Sequence, residues 1–338
     1  MGVNPYVLEP HWANWMLVLE MFVAGVAAGT FFVIALMNFS AARGAAGTED
    51  REVAARMGFI PLPLMLLVGL LLVVDLGEPG RFLNIIFRNP EAAERGPSPL
   101  MFNGNSPMTW GTYVILIFGA LTLIPFLDAL LHTRRSRGGK GGLSGLVESL
   151  AHNPIVMVVC ALFALAVGGY SGILLNVTSQ NVWGDTILLG AMYMVFSALS
   201  GAAVAAIVAD RLAFARTAAA VRQLLVWFAA VAGILVLIFV VNLAIVGRAT
   251  PLVFDLDSLV APIFWVGVVG LAILYPLLTL WRGGPVGLKR GGSKRGGATT
   301  LAVAGYDLGR LAFVGAGVLI GVLAFRYVLL FSALAAIQ

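Results

Sequence analysis

Residues Leu224–Val246 read LLVWFAAVAGILVLIFVVNLAIV, an apolar run without one charged side chain and with a single amide, Asn242. A helix that crosses a bilayer needs about 20 mostly apolar residues, because lipid offers no partner to backbone N–H and C=O groups. This run meets that requirement, and seven others do as well. Along the chain, the eight stretches cover about Trp12–Phe39, Met57–Leu76, Pro107–Leu131, Asn153–Asn176, Trp183–Ala209, Leu224–Val246, Leu259–Trp281 and Gly309–Ala335. The fold class this predicts is all-α: a polytopic membrane protein of eight transmembrane helices. Connections between the runs are short, so residues 1–338 are read as one integral membrane domain without an appended soluble one.

Composition agrees with that reading. Hydrophobic residues make up 60% of the chain and charged ones 11%, with a mean hydropathy of +0.97. A soluble domain carries roughly a quarter of its residues as charges. The net charge of +5 therefore points to basic loops at a membrane surface, not to nucleic acid. The lone cysteine, Cys160, lies in an apolar run and cannot build a Cys-ligated cluster or zinc site. Acidic Glu9 and then His11 precede the first run with no basic segment, unlike a cleavable secretory leader.

Orientation follows from the distribution of Lys and Arg. With an even number of spans both termini share a side. That side carries Arg81, Arg88, Arg95 and Arg248, whereas the opposite loops and helix ends carry sixteen basic residues, from Arg43 to Arg310. Only Arg326 is left over, inside the last run. The excess marks the cytoplasmic face, so both termini are expected outside. Small residues repeat at four-residue spacing in Gly25/Gly29, Ser197/Gly201 and Gly317/Gly321, a spacing that lets helix backbones approach closely. Its recurrence in the first and fifth spans suggests a duplication, with the helices forming two four-helix bundles.

Polar groups inside a membrane are costly and are candidates for function. Alternating span directions put Asn14, Glu20, Asp75, the start of the third span at Ser106–Gly111, and Tyr170 in one outer layer. The inner layer holds Asp128, His132, His152 and Asp210. Each outer cluster also has a structural explanation: Ser106–Pro107 as a helix start, Trp110 and Tyr170 as interfacial aromatics, and Asp75 through Arg81 as a helix terminator. Glu20 has none, since it stands about eight residues, or roughly 12 Å, into an apolar helix.

The same residues carry a family resemblance. Asp75-Leu-Gly-Glu-Pro-Gly-Arg81-Phe82, Asn105-Ser-Pro-Met-Thr-Trp-Gly111 and Tyr170-Ser-Gly-Ile-Leu-Leu175 resemble the polysulfide reductase membrane-subunit family of NrfD/PsrC type. Trp15, the Gly25–Gly29 pattern and Arg326-Tyr327 extend the likeness; Glu78 stands where the family's Asp-x-Gly-Arg-Pro motif has arginine. The resemblance implies an anchor in a bacterial or archaeal cytoplasmic (inner) membrane that reacts with menaquinone or ubiquinone and binds no haem or metal itself. It further implies a ferredoxin-like partner with [4Fe–4S] clusters on the extracytoplasmic face, wired to a molybdopterin enzyme or a multihaem cytochrome. Carried over by motif, Tyr170 would bond a quinone carbonyl, with Asp75 and Arg81 beside it. His11, Asn14 and Trp110 complete the expected quinone contacts, and Glu20 joins Tyr170 and Asp75 as a catalytic candidate. A proton route would add Asp128 and Asp210 to Glu20 and Asp75. The rival readings are a structural anchor without quinone chemistry, a secondary transporter, for which the midplane is nearly bare, and a haem-b anchor, for which mid-membrane histidines are lacking.

Overall fold

The structure, a computed structural model, describes residues 14–42, 48–75, 80, 104–135, 142–178, 180, 182–247, 253–255, 259–280 and 310–335. Among the described residues, eight helices, some of them two segments joined end to end, are long and apolar enough to cross a membrane. The first span is helical over Trp15–Ala42. The second consists of Thr48–Met57 and Pro61–Asp75, and the third of Pro107–Leu121 and Leu123–Arg135. A short helix, Gly142–Ala151, leads into the fourth span, Pro154–Asn176. The fifth covers Leu189–Arg211, the sixth Ala215–Ile245, and the eighth Arg310–Ala335. The seventh runs from Val260 to Leu280 and winds as a π-helix over Phe264–Leu274.

Several of these bounds differ from those the hydropathy pattern gives, for identifiable reasons. The pattern starts the second span at Met57, but a helical segment starting at Thr48 precedes it. That segment is too polar to register as a hydrophobic run. The helix breaks at Gly58–Ile60, just before Pro61 and Pro63, which have no N–H to continue the ladder. The third span is interrupted at Thr122, ahead of Pro125, for the same reason. The two breaks face one another: the Phe59 and Phe126 rings meet edge-on at 5.8 Å, and a Cβ on Gly58 would be 3.0 Å from Ala129 Cβ. Trp183, expected as the first residue of the fifth span, instead occupies a turn before it. There it is fully buried and its indole N–H donates to the Leu329 carbonyl at 2.6 Å. Hydropathy cannot distinguish a buried tryptophan in a turn from one in a helix.

Burial separates the spans into two kinds. The apolar windows of the first and fifth are each 72% buried, against 28% for the second, third and sixth. The first span packs on the second, fourth, fifth and eighth, while the fifth packs on the first, fourth, sixth and eighth. The first and fifth are therefore the central pair, and the outer spans turn large apolar side chains such as Leu66, Leu162, Leu237 and Phe313 outward. In lipid such faces are solvated and need no protein cover.

The small-residue patterns explain how the central pair meets. A Cβ on Gly29 would overlap the Ser197 carbonyl, and one on Gly201 would overlap the Gly29 carbonyl. The patterns of the first and fifth spans are thus the two sides of one contact, with backbone on backbone. Gly172 likewise lies on the backbone of Leu189 and Gly190, and Gly321 on that of Gly267 and Ala272. Between helices in lipid this close packing takes the place of a hydrophobic driving force.

Contacts at the helix ends give the directions. Where the first span begins, Asn14 bonds Asp75 at the end of the second, and Trp15 stacks on Tyr327 near the end of the eighth at 5.0 Å. We call this the near end. At the far end, the Asn38 amide donates to the Ala151 carbonyl at 3.1 Å, His132 pairs with Glu52 at 3.1 Å, and Thr217 donates to Asp50 at 2.6 Å.

Candidate functional site

Span ends are where polar side chains can be tolerated, and in the first four spans two polar clusters form, one at each end. Near-end geometry starts with Asn14. Its side-chain oxygen accepts from the Leu17 N–H at 2.9 Å, which caps the first span in the usual manner of an N-cap amide. Because the oxygen is used there, the NH2 of the same amide faces outward and donates to Asp75 Oδ1 at 3.1 Å. Asp75 ends the second span, where the helix dipole opposes an acid. A donor from another helix therefore gives this carboxylate the partner that its own helix cannot.

One and a half turns further along the first span, Glu20 is only 7% exposed. Among the described residues, the charged groups whose fields reach its carboxyl are Arg326 and Asp75. Its own charge reaches Tyr170 and Tyr193. Tyr170, half-buried on the fourth span, lays its ring across Gly111 of the third; a Cβ there would fall within the ring's Cζ, Cε2 and hydroxyl. The third span is held for this contact by Ser106, whose hydroxyl accepts from the Thr109 N–H at 3.4 Å, with Pro107 in the first turn. Gly172, two residues after Tyr170, fixes the fourth span against the start of the fifth.

Asn14, Glu20, Asp75 and Tyr170 thus come together at the near end, graded from the buried Glu20 to the exposed Asp75. Trp110, next to Gly111 on the third span, donates its indole N–H to the Gly104 carbonyl at 2.8 Å, and its side chain is about half exposed. His11 and Arg81 lie outside the described residues. Asp128 and Asp210 are at the far end. Asp128 lines a cavity of about 210 Å³ with Asn38, Arg51, His132, Glu148 and His152. Asp210 accepts from the Ala312 N–H at 3.3 Å, satisfying an open donor in the first turn of the eighth span. Between the two ends the first four spans are filled by Phe31, Met65, Val68, Phe118, Met157 and Cys160, all buried and apolar. Among the described residues no group of three or more His, Cys, Asp or Glu is arranged to hold a metal ion.

A tyrosine hydroxyl, a buried carboxyl and a second acid at one end of an apolar bundle are what a hydrophobic two-electron, two-proton carrier would need. The family model for polysulphide reductase NrfD matches residues 7–286. The chain belongs to the polysulphide reductase NrfD family. It is a multi-pass integral membrane protein, and the family places it as a membrane subunit of quinone-linked oxidoreductase complexes. No curated protein matches it. The near-end group falls wholly within the residues matched to the NrfD model, whereas the eighth span lies beyond them.

Two features are not legible in the sequence. Gly111 belongs to the Asn105–Gly111 motif, but nothing along the chain announces it as the seat of the Tyr170 ring. Arg326 stands out there as a leftover charge within an apolar run and as part of the Arg326-Tyr327 likeness, neither of which assigns it to the site. The structure gives it zero exposure, and a charge inside a span is the signal that could have drawn it in.

Proposed function

We propose that this chain is the quinone- or quinol-reactive anchor of a respiratory complex. It would exchange electrons between membrane menaquinone or ubiquinone and an extracytoplasmic ferredoxin-like subunit carrying [4Fe–4S] clusters, behind which stands a molybdopterin enzyme or a multihaem cytochrome. The near end is the extracytoplasmic one, with both termini outside; sixteen basic residues against four support that sidedness. The eight spans, in one membrane domain covering 1–338, are read as two four-helix bundles of which the first carries the site.

The observation that carries the reading is the meeting of Asn14, Glu20, Asp75 and Tyr170, from three spans, at one end of the bundle. Among the described residues the Tyr170 hydroxyl has no hydrogen-bond partner, so it is available to donate to a quinone carbonyl. On quinol oxidation each hydroxyl O–H bond breaks, two electrons pass to the iron–sulfur partner, and one proton goes to Glu20 and the other to Asp75; reduction is the reverse. The exposed Asp75, held by Asn14, is the natural exit to water. His11, Arg81 and Trp110 remain proposed contacts at the rim. Transfer of protons onward to Asp128 and Asp210 would have to cross the apolar layer of Phe31, Phe118 and Met157. We therefore confine proton exchange to the near end, a restriction tested by following lumenal pH during turnover in proteoliposomes.

The deciding experiment measures quinone-linked turnover of the purified complex with Tyr170→Phe and Asp75→Asn. Each is expected to lower turnover by about a hundredfold, as for loss of an oriented proton donor or acceptor, with subunit composition unchanged. Wild-type rates in both variants would remove the site.

A further inference from the structure

The most unusual side chain in the molecule is Arg326, a guanidinium with zero exposure on the eighth span. Three elements hold it. Nη2 donates to Ser197 Oγ at 2.9 Å and to the Tyr193 carbonyl at 3.3 Å, both on the fifth span. Cζ stands 3.9 Å from the centroid of the Tyr193 ring, a cation–π distance, and Phe325 stacks on Phe196 at 3.8 Å beside the same cluster. On the first span Gly25 leaves the space that Nη2 occupies, since a Cβ there would be 2.7 Å from it. Ser197 in turn donates to the carbonyls of Tyr193 and Gly168. The guanidinium therefore lies in a built socket between the first, fifth and eighth spans.

That socket satisfies only one edge of the group. Nε and Nη1 are buried and find no hydrogen-bond partner among the described residues. A guanidinium keeps its charge at physiological pH, and an uncompensated charge inside a membrane is costly. Among the described residues, the carboxyl whose field reaches it is Glu20, five residues before Gly25 on the first span. Glu20 in turn reaches Tyr170 and Asp75, whereas Arg326 comes from the eighth span and packs on the fifth. Met21, next to Glu20, accepts from the Tyr193 hydroxyl at 3.7 Å, which ties that neighbourhood to the same socket.

We propose that Arg326 is a positioning residue of the quinone site, a fixed cation from the eighth span that orients the Glu20 carboxyl and balances its charge whenever Glu20 has given up its proton. The inference rests on the proposed quinone chemistry and adds to it a group outside the first four spans and outside the residues matched to the family. The eighth span thereby acquires a role of its own, because the fixed charge beside a proton-exchanging acid comes from a different set of helices than the quinone contacts. A purely structural pair would predict the same burial, so the test must separate stability from turnover.

The complete complex is purified with Arg326→Gln, Arg326→Lys, Glu20→Gln, the double variant Glu20→Gln/Arg326→Gln, and Gly25→Ala. Thermal unfolding midpoint, kcat and KM for quinol are measured for each. Arg326→Gln leaves a buried acid without its counter-charge and lowers both midpoint and kcat, the latter by about a hundredfold for a misplaced reacting group. The double variant removes both charges, so its midpoint recovers while kcat stays low. Arg326→Lys keeps the charge and recovers kcat in part. Gly25→Ala pushes on the tip of the Arg326 side chain at 2.7 Å and on Ser197 Oγ at 3.0 Å without removing a charge; it is expected to lower kcat about tenfold with KM unchanged, a smaller displacement than full removal. Recovery of kcat in parallel with the midpoint in the double variant would make the pair structural and overturn the proposal, as would wild-type kcat in Gly25→Ala. If Tyr170→Phe also leaves turnover untouched, the quinone site itself has failed; if Tyr170→Phe lowers turnover while these variants do not, only the role of Arg326 has.

Discussion

Replacing Gly111 with alanine probes the candidate site with a single methyl group. In the structure the position of the new Cβ is already taken by the edge of the Tyr170 ring. Carbon atoms in contact settle about 3.5–4.0 Å apart, so ring and third span must separate by more than about 1 Å. Overpacking of that kind costs about 1–3 kcal/mol, a loss that a bundle with this much buried helix contact should survive. A displacement of about 1 Å at a reacting group, by contrast, costs about a hundredfold in rate. Gly111→Ala is therefore expected to yield an assembled complex with a modestly lowered unfolding midpoint and quinone-linked turnover reduced by about two orders of magnitude. Gly119→Ala on the same span provides the control, because its Cβ would meet nothing within 4 Å; both values should remain at wild type. Steady-state turnover with a short-chain quinol, alongside the unfolding midpoint of the same preparation, measures both. Full turnover in Gly111→Ala would refute the reasoning, since the ring could then not rest where the glycine is.

Three further outcomes follow from particular contacts. Trp183→Phe keeps an aromatic ring in the buried turn but removes the N–H given to the Leu329 carbonyl, which retains the Ser332 hydroxyl as a donor; it should lower stability by about 0.5–1.5 kcal/mol, the net worth of one hydrogen bond, and an unchanged unfolding midpoint would count against that bond. Asp210→Ala takes away the side-chain acceptor at the start of the eighth span, an effect of about 0.5–2 kcal/mol, with quinone turnover unaffected when assayed below the new midpoint. Turnover lost in that variant at full stability would instead give Asp210 a part in proton transfer. Asn14→Ala frees both the first-turn N–H of Leu17 and the Asp75 carboxylate, so it should lower stability by about 1 kcal/mol and weaken turnover less than Asp75→Asn does; an effect larger than that of Asp75→Asn would move the proton-exchanging role toward the first span.

Membership in the membrane class and the number of spans are legible in the sequence because lipid imposes a rule on composition itself. A segment such as Leu224–Val246 has no charged residue to compete with that rule, and the length needed to cross is fixed by the helix rise. The helix starts at Ser106–Pro107 and Asn153–Pro154 are equally open to reading, since capping is a matter of adjacent residues. What hydropathy misjudges are elements whose character comes from neighbours: the polar Thr48–Met57 segment, the facing breaks at Gly58 and Thr122, and Trp183 buried outside any helix.

The candidate site divides along the same line. The sequence by itself supplies the residue types and, through alternating span directions, the end of the bundle at which Asn14, Glu20, Asp75 and Tyr170 stand. It cannot say which faces of those helices meet, because an apolar helix in lipid carries no amphipathic stripe to mark its inner side. Only tertiary structure turns Asn14 toward Asp75, lays Tyr170 on Gly111, and joins the small residues of the first and fifth spans as two sides of one backbone contact. The position of Arg326 is decided in the same way. A lone arginine in an apolar run is a puzzle along the chain, and it becomes intelligible when packing brings Ser197, Tyr193, the vacant side of Gly25 and the charge of Glu20 around one guanidinium.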